Sequence, residues 1–243
     1  MYTSQEESGD EPNEWKEGRT MKKADLLNVN INGNRKLRNT DSVRFIIWNL
    51  PAVRTCPFRT PMCEKSCYAR KAERLYPQVL PAREVNYQMS LRDDFSERMI
   101  DTIEYYLASK AFAGKEVIFR IHESGDFYNR EYAQKWIDIA RYFENDMRIT
   151  FLAYTKSLKY MIDCGYGNDN FPKNLIIRAS LWDDTKQSQR DIIAAYDMPI
   201  YTALTKEEFA TMGDKYAHCD CADCANCGKC WNANNTRIAC EIH

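Results

Sequence analysis

No stretch of about eighteen apolar residues occurs in this chain, which excludes a membrane-spanning helix. The start of the chain has no basic segment followed by an apolar run, so no secretory signal is expected and the protein reads as cytoplasmic. Neither sign of charge dominates. The 34 Lys and Arg face 35 Asp and Glu, so global charge points to no nucleic-acid partner. Without an export route, ten unevenly spaced cysteines make a poor disulfide framework. Metal binding in a reducing compartment explains them better.

What the chain does have is apolar material and clustered thiols. Its 243 residues are 44% hydrophobic and 12% aromatic, enough for one large domain or a domain with an appendage. Five thiols, Cys219, Cys221, Cys224, Cys227 and Cys230, crowd into residues 219–230, with three successive gaps of two residues. Packing needs no such density. A two-residue spacing turns neighbouring thiolates onto one metal centre. Zinc takes four thiolates, or three with an imidazole such as His218. An iron–sulfur loop takes thiolates only, and Cys221 to Cys230 approaches that pattern. The last gap is two residues and Trp231 stands where such loops have Pro, which keeps zinc as the alternative. A looser set, Cys56, Cys63 and Cys67, has gaps of six and three residues.

The looser set lies in a basic run. Residues 54–83 carry Arg54, Arg59, Lys65, Arg70, Lys71, Arg74 and Arg83 against Glu64 and Glu73. This is either a solvated face or a surface for an anionic ligand, host protein or nucleic acid.

Along the chain, residues 1–27 are acidic at the start and poor in apolar side chains, which predicts a disordered tail. Residues 28–42 are polar and Asn-rich, an irregular lead-in. Val43 to Leu50 is nearly continuously apolar, as in a strand buried on both faces of a parallel sheet. Helices are expected near 66–76, 81–92 and 94–111, the last with Asp94 and Glu97 as a capping pair and Phe95, Met99, Ile103 and Leu107 on one face. From residue 115 strands and helices alternate. Strands are expected at 116–121, 148–154, 175–179 and 199–203, with helices at 130–144, 157–163 and 185–196. Asn129 caps the first of these helices, whose Tyr132, Trp136, Ile139 and Phe143 face inward. Such alternation implies a parallel sheet of four or five strands. The fold class is α/β, a partial (open) β/α barrel over residues 28–205, with a Cys-rich metal-binding extension over 206–243.

Ligands of parallel α/β folds bind at the carboxyl ends of the strands. Each expected strand delivers polar groups there. The first leads into the Cys56–Cys67 loop. The second ends in His122, Glu123, Ser124, Gly125 and Asp126. The third ends in Tyr154 and Lys156, and the fourth carries Arg178 and ends in Ser180. Each residue has a bland reading beside the functional one. His122 can be a satisfied core histidine, Gly125 and Asp126 a tight turn, and Lys156 a surface lysine. Cys164 and Cys240 are isolated and read as small core or tail residues.

Several motifs together carry a resemblance. Cys56-Pro, Cys63 and Cys67-Tyr-Ala are followed by Arg120-Ile-His-Glu-Ser-Gly-Asp-Phe127, Tyr154-Thr-Lys-Ser157 and Cys227-Gly-Lys-Cys-Trp231. Over residues 45–232 this resembles the gene product 88-like proteins of bacteriophages and prophages. The resemblance implies phage or prophage origin and action in the host cytoplasm. More distantly the chain is similar to radical S-adenosylmethionine barrels, in which a cysteine loop after the first strand binds a [4Fe–4S] cluster. That similarity implies one or two clusters. It also implies catalytic roles for His122, Glu123, Asp126 and Lys156, and cofactor contacts from Ser124, Gly125, Tyr154, Arg178 and Ser180. The departures are a different cysteine spacing and Ile121-His122 in place of the glycine pair that holds the S-adenosylmethionine amino group. The two cysteine sets can serve two centres, or the first loop and one tail thiol can share one.

Overall fold

The computed structural model describes the chain apart from residues 1–12, 16–18, 220–221, 233, 235 and 243. Near the start, β1 (Asn13–Trp15) and β2 (Arg19–Met21) pair antiparallel where composition predicts a disordered tail. The rest of that expected tail up to residue 18 lies outside the described residues. The lead-in that follows is irregular, touching the sheet through one bridge from Asn30 to Ile47.

The core is one sheet of seven parallel strands curled into a half-barrel. It begins with β3 (Val43–Trp48), β4 (Glu116–Ile121), β5 (Ile149–Thr155), β6 (Leu175–Leu181) and β7 (Ile200–Leu204). Each of these pairs with the next in chain order, as successive β/α crossovers dictate. Two further strands, β8 (Ala217–Cys219) and β9 (Arg237–Glu241), close the order as β7-β9-β8. Sequence patterning predicts four or five strands, and these two are the difference. β8 is three residues long and contains His218, while β9 follows an Asn-rich stretch, so neither offers a periodic signal. The segment expected as an appended extension thus supplies two strands of the sheet.

Both faces of the sheet are covered, which explains its long apolar runs. Ile46, Trp48, Phe119, Ile121 and Phe151 lie on the outer face. Over it pack α4 (Phe95–Ala108) and α5 (Arg130–Tyr142). Phe95, Met99, Ile103 and Leu107 of α4 are buried at the expected spacing. So are Tyr132, Trp136 and Ile139 of α5, with Phe143 just beyond it. Asn129 caps α5 by accepting from the Tyr132 amide at 2.8 Å. Asp94 makes no cap with its side chain. It pairs instead with Arg92 at 2.7 Å, a neighbour whose charge outcompetes the backbone amides. The inner face carries Phe45, Ile47, Ile118 and Leu152 beneath Leu37, Cys224, Cys230 and Trp231. Cys240 is buried on β9 and Cys164 packs against the outer core, as small core residues.

Between β3 and α4 the chain forms α1 (Pro61–Lys65), α2 (Tyr68–Leu75) and α3 (Val79–Ser90). The helix expected near 66–76 starts at Tyr68 because the Cys67 sulfur takes the cap position, accepting from the Arg70 amide at 3.5 Å. The remaining helices are α6 (Leu158–Asp163), α7 (Gln187–Ala195), α8 (Lys206–Thr211) and α9 (Cys224–Cys227).

The turn after β4 locks onto the loop after β3. Leu50 N donates to Ser124 O at 2.9 Å and Ser124 Oγ donates to Leu50 O at 2.8 Å. Gly125 has φ +87°, and a Cβ there would sit 2.6 Å from Thr55 Oγ1 and 2.7 Å from Leu50 Cβ. Both backbone conformation and space demand glycine. Gly125→Ala is therefore expected to lower the unfolding free energy by at least about 2 kcal/mol in denaturant titration. An unchanged midpoint would show that the two loops are not clamped there.

Candidate functional site

All-parallel pairing brings the C-terminal ends of β3 to β6 to one edge of the half-barrel. Asp126 is the hub of that edge. It is 6% exposed and accepts three hydrogen bonds, from Thr155 Oγ1 at 2.5 Å, Phe127 N at 2.8 Å and Lys156 N at 2.9 Å. Burial pushes its carboxyl up, and these hydrogen bonds and the Lys156 charge oppose the rise. Lys156 is itself buried and donates from Nζ to Ser180 Oγ at 2.8 Å, with the Trp182 ring 5.6 Å away. One carboxylate thus ties the β4 turn to the end of β5, and one lysine ties β5 to β6.

The first cysteine set gathers over this pair. Cys56, Cys63 and Cys67 lie close enough for their charges to act on one another. Burial pushes the Cys56 thiol up to about 12, with the Asp126 charge adding to it. Burial also raises Cys63, while the Lys156 ammonium beside it favours the thiolate. Short helix α1 holds the loop in place, since the Met62 amide donates to Asp184 Oδ2 beyond β6 at 2.8 Å. The donor chemistry suits a soft metal, because thiols predominate and the nearest carboxylate already has three donors. The geometry is not preformed. Among the described residues, no group of three or more His, Cys, Asp or Glu side chains is arranged to hold a metal ion.

Other expected site residues fall elsewhere. His122 has φ +61° and turns outward into the core. There its Nε2 pairs with Tyr132 OH at 2.9 Å, and Tyr132 OH also accepts from Trp48 Nε1 at 3.0 Å. Burial, helped by the Arg120 charge, drives its pKa down to about 3. Glu123 sits at the edge, half-buried, and its carboxylate accepts from Asn34 and Asn49. Ser124 and Gly125 form the clamp on the β3 loop. Tyr154 and Arg178 face the inner surface rather than the edge. Arg178 Nε donates to Cys230 O at 2.6 Å, and its Nη2 to Lys229 O at 3.2 Å and Asn232 O at 3.1 Å.

The second cysteine set is divided. Cys224 and Cys230 pack on the inner face and Cys227 is exposed. Cys219 ends β8 and accepts from Tyr201 OH at 3.5 Å. Cys221 lies outside the described residues. Burial raises the Cys230 thiol, against hydrogen bonding with Tyr154 and the charges of Arg178 and Arg120. The basic run is partly neutralised. Arg59 and Arg70 pair with Glu64 at 2.7 and 3.4 Å, Arg54 with Glu84 at 2.5 Å, and Arg83 with Glu73 at 2.8 Å.

Sequence reasoning overlooked Asn49 and Arg120. Asn49 Oδ1 accepts from the Glu123 amide at 2.8 Å and the Ser124 amide at 3.0 Å, joining the ends of β3 and β4. Its place directly after an apolar strand was the available signal. Arg120 stood inside a recognised motif but, on a strand, drew no role of its own.

His122 generates a pH prediction. Its folded value near 3 lies below the ordinary 6.5, so the folded state binds fewer protons between them. Its contribution to stability is full above pH 6.5 and lost as pH falls toward 3. The expected slope is up to about 1.4 kcal/mol per pH unit. In denaturant titrations between neutrality and acid, His122→Asn should show a shallower loss than the natural protein; identical slopes would contradict a buried neutral imidazole.

A family model described as Gene product 88 matches residues 18–233. The Gene 88 protein of Mycobacterium phage D29 is 33% identical over 110 residues, 42% of this chain and 42% of that protein. The Gene 88 protein of Mycobacterium phage L5 is 30% identical over 109 residues, 42% of this chain and 43% of that protein. The alignments thus span about two-fifths of the length of these relatives. No solved structure matches, so the likeness to radical S-adenosylmethionine barrels has no structural relative behind it. Among the described residues no helix is long and apolar enough to cross a membrane. With the family model covering residues 18–233, the chain belongs to the gene product 88 family.

Proposed function

We propose that this phage-type protein binds an iron–sulfur cluster, [4Fe–4S] in form, through Cys56, Cys63 and Cys67, and that it is a redox or radical enzyme. The observation that carries the reading is the gathering of three thiols from one loop over a buried lysine and carboxylate at the strand ends. Burial raises the Cys56 and Cys63 thiols, and a metal takes thiols by displacing their protons. Because the three are not arranged on one ion position, capture requires the loop over residues 56–67 to close around the metal. When bound, a cluster supplies or accepts an electron.

The chain's own residues have separate tasks. Lys156, anchored on Ser180, offers an ammonium to an anionic group beside the thiols. Asp126, its pKa raised by burial, can hold a proton at the same edge while its hydrogen bonds fix the Lys156 backbone. Glu123, half-buried, adds a carboxylate at this edge. His122 serves as a positioning residue, tying the β4 end to Tyr132. S-adenosylmethionine is not required, since the position of its amino-group ligands is Ile121-His122 here.

Anaerobic purification should give a brown protein with iron and acid-labile sulfide in comparable amounts. Cys67→Ser should lose the colour, while Cys164→Ser, whose sulfur packs against the outer core, keeps it. A colourless protein holding only zinc would sink the proposal. Partial loss in Cys67→Ser would show a second centre in the C-terminal loop.

A second reading is a zinc-stabilised module that docks on a host protein or nucleic acid. What favours it is the exposed apolar face of α2 and its C-terminal cap, where Tyr68 is 66%, Leu75 59% and Tyr76 54% exposed among Arg70, Lys71 and Arg74. If that face binds nucleic acid, a fluorescent single-stranded oligonucleotide should bind at low salt and weaken in Tyr76→Ala. No anisotropy change at low salt would remove the nucleic-acid form.

A further inference from the structure

Arg120 projects from β4 onto the inner face of the half-barrel, one residue before the strand ends. It is 8% exposed, and its guanidinium lies over the Tyr154 ring with the carbon 3.6 Å from the ring centre. Its Nη1 is fully buried without a hydrogen-bond partner. Among the described residues its side chain donates to no acceptor and pairs with no carboxylate. A permanently charged group in this position is costly, and folded proteins supply such groups with a counter-charge.

Among the described residues, the two carboxylates that follow β4 are already engaged. Glu123 is held by Asn34 and Asn49. Asp126 accepts from Thr155, Phe127 and Lys156. The phenols of Tyr154 and Tyr68 are neutral at physiological pH. The contrast with Arg178 is informative. That second inner-face arginine spends its donors on three carbonyls of the C-terminal loop and so has a structural task.

We propose that Arg120 is the anchor of a binding site for a small oxyanion, a carboxylate or phosphate group. Tyr154 covers one face of the guanidinium, which leaves its in-plane N–H groups to meet two oxygens of such a group side by side. The site lies one layer below the edge where Lys156 and Ser180 meet. A ligand anchored at Arg120 therefore extends toward the Cys56, Cys63 and Cys67 loop. The inference stands without any metal and rests on Arg120 alone.

Thermal unfolding of the full chain in acetate, in inorganic phosphate and in chloride at equal ionic strength tests it. The natural protein should show a saturable rise of about 5–10 °C with acetate or phosphate over chloride, and which anion acts separates a carboxylate site from a phosphate site. Arg120→Met should abolish that rise. In chloride it should melt at or above the natural protein, because it removes a buried charge that has no partner. An equal rise in both proteins, no rise in either anion, or an Arg120→Met protein that melts well below the natural one would each overturn the inference. The last outcome would make Arg120 a packing residue on Tyr154. Iron and sulfide content is read separately, so failure here leaves the cluster reading unaffected and the reverse also holds.

Discussion

A buried carboxylate holds the working edge of this fold together. Asp126 lies on the turn after β4, yet two of its three hydrogen bonds come from the end of β5. Those bonds set where Lys156 begins, and Lys156 in turn reaches Ser180 on β6. On the other side, Asn49 accepts from two amides of the β4 turn and fixes the start of the cysteine loop. Four strand ends are therefore joined by side chains where the sheet's own hydrogen bonds stop. Parallel strands cannot be joined by tight turns, so their ends need such ties. The ties place a buried carboxylate, an ammonium and three thiols in one neighbourhood.

The inner face has a different logic. The C-terminal loop lies over it, with Trp231 edge-on to Phe45 at 5.8 Å and Arg178 gripping three of the loop's carbonyls. A guanidinium is suited to this because its several donors share a plane and reach more than one acceptor. Cys224 and Cys230 are part of that lid's apolar contact. The two cysteine sets thus sit in different surroundings, one over charged groups at the edge and one against aliphatic and aromatic side chains.

Much of the fold was legible in the sequence because burial on both faces leaves long apolar runs. Strands β3 to β7 and helices α3 to α7 follow such runs or the spacing of Phe95, Met99 and Ile103 and of Tyr132, Trp136 and Ile139. Strand β8, three residues with a histidine at its centre, carries no such pattern and forms only because β9 lies beside it. The gathering of strand ends was legible from the parallel order. The direction of each side chain was not. His122 turns into the core through a positive φ, which residue order does not announce. Arg120 escaped notice because an arginine on a strand reads as exposed, whereas here both faces of the sheet are covered. Cys67 breaks the expected helix because its sulfur takes the cap position, a contact that exists only once the loop is folded.

The proposed iron–sulfur cluster takes its thiolates from one edge loop. X-ray absorption on the anaerobically purified protein reads the metal and its neighbours together. An iron edge with a sulfur shell and a further iron–iron shell is expected, both lost when Cys63 is replaced by Ser. A zinc edge with sulfur neighbours alone, unchanged by that substitution, would contradict it.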